Sequence, residues 1–554
     1  MLKLIKTLGL TGGVLLLGGC NAPTGTQPDQ THFTEAGYAC SPHLGISFVR
    51  HCQTWETTHE GQRQADQGDG TYLNPILSGD RPDPTIIKDG DDYYMTYSTF
   101  ESYPALTIWH SRDLVNWQPV GPALTEYIGS IWAPELTLHN GRYYLYIPAK
   151  YPGNNNVYVV YADDIEGPWS DPIALGNDRI DPGHIVGEDG NRYLFLSHGD
   201  RALLSDDGLE ILEVTNHTFN PWRYPDDWDV ECYCEEGPKL MKRGDYYHMI
   251  LAIGGTAGPP TGHMVVHSRS KSIHGPWEPS PHNPIARTES ALEKWWSVGH
   301  ATLIEGPTEG DWYMMYHGYE NGFHTLGRQT IMSPVEWTDD DWLVRQDYDL
   351  SKPIPKPAGG DIVPHGMALS DDFTTNKFGI QWSFFRGGRD ENERVSYDHD
   401  QGVLSLEAKG DSPSNTSPLT FVAGDQAYQV DVDIDFDEGA QGGVLLFYND
   451  RLYAGLGISS ENLHLHRHGQ DRYEGKRANP GGNRVRIRVT NNRHIMSMHY
   501  SFDGGESWIK YDRQLDVSGY NHNVGHGFHS LKPAIYASGE GRVRFSNLVY
   551  RALP

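Results

Sequence analysis

Five ionisable residues stand at corresponding positions of a repeated sequence pattern, and we call them the repeat heads. They are Asp83, Glu135, Asp181, Glu236 and His300. Carboxyl groups that converge raise one another's proton affinity, and burial increases the effect. One carboxyl group can then stay protonated near neutral pH while another is ionised. Such a set can supply a general acid and a general base, although strand capping or the binding of one central cation would also explain it.

The segments behind the heads share one layout. Each head opens a short apolar strand, which is followed by a turn with glycine and by a strand rich in aromatic residues. The first repeat joins Asp83–Ile87 to Tyr93–Met95 through Asp89-Gly90. Such turns between short strands indicate β-hairpins. The heads are 52, 46, 55 and 64 residues apart, a period typical of propeller blades. The sequence therefore predicts a five-bladed β-propeller whose innermost strands bring the heads around one axis.

The remainder of the chain predicts an all-β protein with two domains. Residues 72–350 form the predicted propeller, and residues 21–71 a polar tether and N-terminal extension. Residues 351–368 are rich in proline and glycine and indicate a linker. In residues 369–554, apolar and charged residues alternate, as in Tyr428–Phe436. Because alternation indicates strands with one wet face, this part predicts a β-sandwich.

The first 20 residues have the features of an export signal. Lys3 and Lys6 precede a short apolar stretch that ends in Leu17-Gly18-Gly19-Cys20. This stretch is too short to span a membrane comfortably. Its end resembles a bacterial lipobox, which implies that Cys20 is lipidated and anchors the chain to the cell envelope. Asn21 in place of Asp favours the outer membrane. An ordinary signal peptide with a chance cysteine is the alternative.

Four further cysteines follow in the chain. An exported protein can form disulfides, and we expect a loop closed by Cys40 and Cys52. Cys232 and Cys234 are two residues apart, which disfavours a bond between them. Zinc is a weaker alternative because these cysteines lack the usual ligand spacing.

The overall charge excludes one class of partner. The chain has 44 Lys and Arg against 73 Asp and Glu, a formal net charge of −29. Since no basic stripe is present, we expect no nucleic-acid binding. The acidity itself favours solubility. It does not indicate whether the protein is a monomer or an oligomer.

The acid–base pair has a specific use in sugar chemistry. Cleavage of a glycosidic bond needs an acid for the leaving oxygen and a base or nucleophile. Here the sequence resembles glycoside hydrolase family 43, the β-xylosidase and α-L-arabinofuranosidase family, over about residues 72–345. The motifs are Asn74-Pro75-Ile76, Arg81-Pro82-Asp83-Pro84, Ile131-Trp132-Ala133-Pro134-Glu135, Ile180-Asp181-Pro182-Gly183, Glu236-Gly237-Pro238, Gly299-His300-Ala301-Thr302 and Leu326-Gly327-Arg328. The C-terminal part resembles the concanavalin-like accessory sandwich of the family.

The resemblance implies a role for each of three carboxylates. Asp83 would be the base that activates water, and Glu236 the acid that protonates the leaving group. Asp181 would orient Glu236 and raise its pKa. The family inverts the anomeric carbon, which predicts an acid–base separation of roughly 6.5–9.5 Å.

The resemblance also implies residues that contact the sugar. His300 and Arg328 look like substrate-binding positions, and Phe100 and Trp132 look like walls of a pocket for one sugar. Glu135 stands where relatives often carry Asp, and we include it among the substrate-binding candidates. No cofactor is required, although His300 matches a residue that in many relatives faces a central calcium ion or water.

The expected function is the removal of pentose units from plant or algal polysaccharides or oligosaccharides, with β-xylosidase favoured over α-L-arabinofuranosidase. One alternative is a retaining enzyme of the fructan- and sucrose-cleaving group, which shares the propeller and the sandwich. That group uses Glu-Cys-Pro at the acid, whereas Glu236 is followed by Gly237-Pro238. The other alternative is a catalytically inactive lipoprotein that binds glycans at the cell surface.

Overall fold

The structure is a computed structural model that describes residues 61–219, 222–471 and 477–554. All of these residues belong to one unit of the chain. The predicted signal peptide, the lipidation at Cys20 and the expected Cys40–Cys52 bond lie outside the described residues. Among the described helices, none is long and apolar enough to cross a membrane.

Five antiparallel sheets form the blades of a β-propeller. Their strands, in chain order within each blade, are Thr85–Asp89, Asp92–Thr96, Ala105–Ser111 and Gln118–Leu124 in blade 1, Glu135–His139, Arg142–Lys150, Asn156–Ala162 and Ile173–Ala174 in blade 2, Gly183–Val186, Arg192–Phe195, Arg201–Leu204 and Ile211–Thr215 in blade 3, Glu236–Arg243, Tyr246–Ile253, Met264–Ser270 and Glu278–Pro279 in blade 4, and Trp295–Glu305, Trp312–Glu320, Arg328–Trp337 and Leu343–Arg345 in blade 5. The first strands of the five blades contact one another in a closed ring. This ring is the predicted arrangement, and it confirms the five-bladed propeller.

Short elements complete the propeller. Ser130–Ile131 extends blade 2, and Ala286–Arg287 pairs within blade 4. Thr71–Tyr72 pairs with Ile354–Pro355, so the segment before blade 1 is tied to the segment after blade 5. The described helices are all a single turn or little more: Ser197–Gly199, His324–Leu326, Arg389–Asn392 and His522–Gly525.

Two antiparallel sheets form the C-terminal sandwich. The first contains, in spatial order, Gln470–Asp471, Asn462–Arg467, Leu452–Ile458, Ala440–Asn449, Lys532–Gly539, Leu419–Thr420, Ser383–Phe385 and Ser102–Tyr103, with Arg477–Ala478 beside Asn462–Arg467. The second contains Val395–Asp398, Val403–Glu407, Arg542–Ala552, Ala427–Phe436, Arg484–Asn492, Ile495–Ser501 and Ile509–Asp516. The alternation in Ala427–Phe436 holds in part: Val432 and Ile434 are buried, and Asp433 and Asp435 are half-buried. Asp431 departs from the pattern, because it is buried and receives two hydrogen bonds from Arg488 of the next strand.

Propeller and sandwich share a continuous core. Trp109 and Trp117 of blade 1 are fully buried in the same apolar cluster as Trp382 and Phe421 of the sandwich. Ser102–Tyr103, a strand between the second and third strands of blade 1, is itself the edge of a sandwich sheet. Apolar burial of this kind contributes about 25 cal/mol per Å², so the two parts stabilise each other.

One expectation about the cysteines is wrong. Cys232 and Cys234 form a disulfide with a Cα–Cα distance of 5.3 Å, inside the range that a disulfide can bridge. The backbone of Cys234 has a φ of 38°, and this left-handed turn allows residues two apart to face each other.

Candidate active site

Four repeat heads meet on the axis of the propeller. Asp181, Glu236 and His300 each place one side-chain atom within 4.8 Å of the others. Asp83 joins them, with its Oδ1 3.5 Å from His300 Nδ1. Asp83, Asp181 and His300 are buried and Glu236 is half-buried. The periodicity of the sequence therefore gathers two blade-leading aspartates, one glutamate and one histidine into one group.

The backbone at the heads turns in the same unusual way. Asp83, Asp181 and His300 have φ values of 56°, 57° and 54°, and Gly237, next to Glu236, has 62°. A left-handed backbone costs a residue with a side chain about 1–2 kcal/mol, and such strain is concentrated at functional sites. A Cβ at Gly237 would lie 3.0 Å from His300 Nε2. A side chain at position 237 would therefore press on His300, in addition to the strain of the left-handed backbone.

The carboxylate of Asp83 is surrounded by donors. Arg328 donates to both oxygens, at 3.0 and 3.3 Å, and Ser98 Oγ donates to Oδ2 at 2.5 Å. His317 Nδ1 lies 2.9 Å from Oδ1. Burial alone would raise the pKa of Asp83, but the charge of Arg328 and the hydrogen bond of His317 outweigh it and hold the pKa well below its ordinary value. Asp83 is therefore ionised and can accept a proton.

Glu236 has the opposite electrostatics. Burial, and then the charges of Asp181 and Asp83, raise the pKa of Glu236 well above its ordinary value. Burial and the charge of Asp83 raise the pKa of Asp181 to about 7, although Lys239 and Lys150 oppose this. Glu236 can therefore hold a proton near neutral pH, next to an ionised Asp83.

Aromatic rings form the wall of the site. The rings of Phe100 and Trp132 are 6.0 Å apart, and Phe528 lies 6.2 and 5.6 Å from them. The guanidinium of Arg328 lies 4.9 Å from the ring of Phe528, and the ammonium of Lys150 lies 3.5 Å from the ring of Trp132. Phe528 belongs to the sandwich, so the second domain completes the wall. Sequence reasoning did not find it, because the sandwich carries no repeat that would mark a contact with the propeller.

The remaining head, Glu135, has other partners. Glu135 accepts hydrogen bonds from Thr85 Oγ1, the backbone N–H of His184 and Lys239 Nζ, the last at 2.5 Å. Lys239 is buried and also donates to the carbonyl groups of Pro134 and Pro182. These contacts tie blades 2, 3 and 4 together at the centre. The predicted binding of substrate by Glu135 stays a prediction, and Lys239 was not found from the sequence.

The predicted calcium ion can be tested against the donors present. Asp181, Glu236 and His300 offer two carboxylates and one imidazole. Calcium takes six to eight oxygen ligands, and this group supplies a nitrogen and the same Glu236 that holds a proton. The donors do not fit a resident calcium ion, and no chemical step below uses a metal.

The chain can now be compared with known proteins. Residues 72–343 match the glycosyl hydrolases family 43, and residues 370–549 match the β-xylosidase C-terminal concanavalin A-like domain. A xylan 1,3-β-xylosidase of Vibrio sp is 36% identical over 315 residues, which cover 49% of this chain and 56% of the relative. A non-reducing end α-L-arabinofuranosidase of Bacteroides ovatus is 34% identical over 334 residues, covering 57% of this chain and 61% of the relative. The chain thus matches less than two thirds of the length of these relatives.

The solved structures give a broader match. A family 43 protein of Bacillus licheniformis aligns with a TM-score of 0.75 and 28% identity, covering 87% of this chain and all of that protein. Fold and site define a five-bladed propeller with acid–base carboxylates on its axis and a concanavalin-like sandwich at its side. The chain belongs to glycosyl hydrolase family 43, as the sequence motifs indicated.

Proposed function

We propose that this protein is an inverting glycoside hydrolase that removes terminal pentose units, with β-xylosidase activity favoured, from polysaccharides or oligosaccharides. One observation carries the proposal: two carboxyl groups of one site have pKa values moved in opposite directions, Asp83 downwards and Glu236 upwards. An acid and a base ready at the same pH are what single-displacement hydrolysis needs.

The contacts support one proposed step for each group. Asp83, ionised by Arg328, takes a proton from the attacking water. Glu236 donates its proton to the oxygen of the leaving group as the glycosidic bond breaks. Asp181 keeps that proton on Glu236 until it is needed, because its negative charge opposes ionisation of its neighbour. Glu236 is then left ionised and Asp83 protonated, and exchange of one proton with solvent restores both.

The wall supports action on a chain end. Phe100, Trp132 and Phe528 surround the site with apolar faces, and such faces stack on sugar rings. The names of the relatives favour a pentose, since one is a β-xylosidase and the other an α-L-arabinofuranosidase. Both sugars are therefore the first substrates to test.

The stereochemistry tests the mechanism directly. We expect proton NMR of the hydrolysis of a β-xyloside to show α-xylose first. The β-anomer as first product would refute inversion and support the retaining alternative. A panel of nitrophenyl pentosides and hexosides identifies the sugar, and binding of glycans without turnover of any would support the inactive binding protein.

A matched pair of variants tests the acid. Glu235 precedes Glu236, is also half-buried, and has a pKa raised to about 7, mainly by burial. Glu236→Gln is expected to abolish cleavage of xylobiose, about 100-fold or more, whereas Glu235→Gln keeps most of it. Turnover of xylobiose by Glu236→Gln at the wild-type rate would contradict the assignment.

We also propose that Cys20 is lipidated and anchors the protein to the outer membrane. The lipobox-like sequence supports this. Metabolic labelling with a radioactive fatty acid should mark the wild type and leave Cys20→Ser unlabelled. Equal labelling of both would contradict it.

A further inference from the structure

A cavity lined by both polar and apolar residues lies between blade 1 and the sandwich. Its volume is about 50 Å³, and Asp80, Arg81 and Ser98 of the propeller and Gln381 and Lys532 of the sandwich are among its lining residues. Two of its side chains are more than nine-tenths buried and have an atom without a hydrogen-bond partner in the described structure, namely Arg81 Nε and Gln381 Oε1. Such atoms suit bound water, and the space admits a few molecules. The cavity therefore has the space and the polar atoms to hold water between the two domains.

Asp80 connects this cavity to the catalytic base. It is buried, and its Oδ1 accepts the backbone N–H of Arg328 at 3.2 Å. A Cβ at Gly327 would lie 2.3 Å from the same oxygen, so Asp80 packs directly against the peptide that precedes Arg328. Since Arg328 in turn donates to both oxygens of Asp83, a displacement of this peptide moves the partner of the base.

Lys532 brings a charge from the sandwich to Asp80. It begins the strand Lys532–Gly539, and its Nζ donates to Ser102 Oγ at 2.7 Å. Burial raises the pKa of Asp80 to about 6, and the positive charges of Lys532 and Arg328 oppose that rise. The charge of Asp80 acts in return on Lys532, whose pKa burial lowers. Several titratable and charged groups face Asp80 or Lys532: Lys532, Tyr448 and His529 of the sandwich, Arg328 and Tyr319 of blade 5, and Arg81 and Asp83 before blade 1.

We propose that Asp80 is a positioning residue for the Arg328–Asp83 pair and that the sandwich controls it through Lys532. The inference rests on the proposed hydrolysis and extends it: the sandwich is an electrostatic part of the site as well as part of its wall. A charged carboxylate holds the Arg328 N–H more strongly than a neutral carboxyl group does. Lys532 keeps Asp80 charged to lower pH, and so keeps Arg328 in place on the acid side of the pH profile.

The first experiment measures kcat/KM for xylobiose against pH. Lys532→Met should move the acid limb of the profile to higher pH by on the order of 1 pH unit, the effect of one lost opposite charge. Lys532→Arg should restore the wild-type limb. Lys409→Met is the control, because Lys409 is a sandwich lysine that pairs with Glu391. A limb that stays in place in Lys532→Met would overturn the proposal.

The second experiment asks whether the effect passes through Asp80. Asp80→Asn keeps an oxygen for the Arg328 N–H and loses the charge, whereas Asp80→Ala loses both. We expect Asp80→Ala to lower kcat/KM about 10-fold more than Asp80→Asn, since a hydrogen bond is lost. In the Asp80→Asn background, Lys532→Met should move the limb no further. A full shift in that background would show that Lys532 acts without Asp80.

A third measurement separates this inference from the proposed function. The thermal midpoint of the wild type, Asp80→Asn, Lys532→Met and the double variant needs no substrate. Coupling predicts that Lys532→Met lowers the midpoint less when Asp80 is already Asn. Additive changes would overturn the proposed coupling of Asp80 and Lys532 even in an active enzyme. Coupling in a protein that cleaves no glycoside would refute the proposed function alone.

Discussion

The charge of Asp181 offers the sharpest test of the electrostatics. Asn has the shape of Asp and tolerates a left-handed backbone, so Asp181→Asn removes the charge and little else. Atoms of Asp181 and Glu236 lie within 4.8 Å of each other. At an effective dielectric constant of about 20, two charges at that distance interact by ~3.5 kcal/mol. This corresponds to about 2.5 pH units at 1.36 kcal/mol each.

The assay is the pH dependence of kcat/KM, whose basic limb reports ionisation of the acid in the free enzyme. Xylobiose is the substrate, because its poor leaving group needs the proton. The basic limb of Asp181→Asn should lie about 2.5 pH units below that of the wild type. Asp371→Asn is the control, since Asp371 is a buried sandwich carboxyl whose pKa burial also raises. Coincident basic limbs for the wild type and Asp181→Asn would refute the reasoning.

The same substitution has a consequence for stability. Because the pKa of Asp181 is raised to about 7 from 3.8, the folded protein binds this proton more tightly than the unfolded chain. The stability it contributes is full below pH 3.8 and is lost as the pH rises through 7. The thermal midpoint of Asp181→Asn relative to the wild type should therefore increase between pH 4 and pH 8. A constant difference would show that Asp181 titrates normally.

Three further changes test the base, the wall and the centre. Asp83→Asn should lower kcat more than about 1,000-fold in a continuous assay, because the base is lost. The far-ultraviolet circular dichroism should stay unchanged, because the backbone fold is kept. Turnover near the wild-type rate would contradict the assignment of Asp83 as the base. Phe528→Ala should lower kcat/KM about 10-fold, because the wall loses one aromatic face for the sugar, worth roughly 0.5–1.5 kcal/mol. The exposed Val524 of the same segment provides the control Val524→Ala, and equal kinetics for both variants would count against Phe528. Lys239→Met should lower the unfolding free energy in urea by about 3–5 kcal/mol, because it leaves the buried Glu135 unpaired. Adding Glu135→Gln to this variant should recover part of the lost unfolding free energy, and no recovery would argue against the pair.

The sequence predicts well those residues of the site that stand at the repeat heads. Asp83, Asp181, Glu236 and His300 stand in or just before the first strands of blades 1, 3, 4 and 5, and the closed ring of first strands brings these positions together. The motif positions Phe100, Trp132 and Arg328 also reach the site. The family and the fold follow from the same pattern.

What the sequence does not predict depends on contacts between distant segments. Phe528 reaches the site from a sandwich loop more than 400 residues beyond Phe100, and no periodicity relates the two. Lys239 follows Glu236 by three residues in the strand Glu236–Arg243, which also carries Lys242 and Arg243. The sequence does not distinguish Lys239, which is buried against Glu135, from these two more exposed cations. The disulfide of Cys232 and Cys234 depends on one left-handed residue, which the sequence does not mark.

The left-handed backbone at the heads has a consequence for directed evolution. At Asp83, Asp181 and His300 a side chain of the site is kept where glycine would relax the backbone. Replacement by glycine recovers about 1–2 kcal/mol of strain, but at Asp83 it would also leave the buried Arg328 without its partner. At Asp181, whose pKa is raised by burial and by the charge of Asp83, glycine removes a carboxylate that costs stability at neutral pH. A library sorted for heat resistance alone will therefore collect glycine at codon 181 and yield robust, inert proteins. Selection for durable variants has to score turnover in the same round, since here thermal resistance and catalysis draw on the same positions.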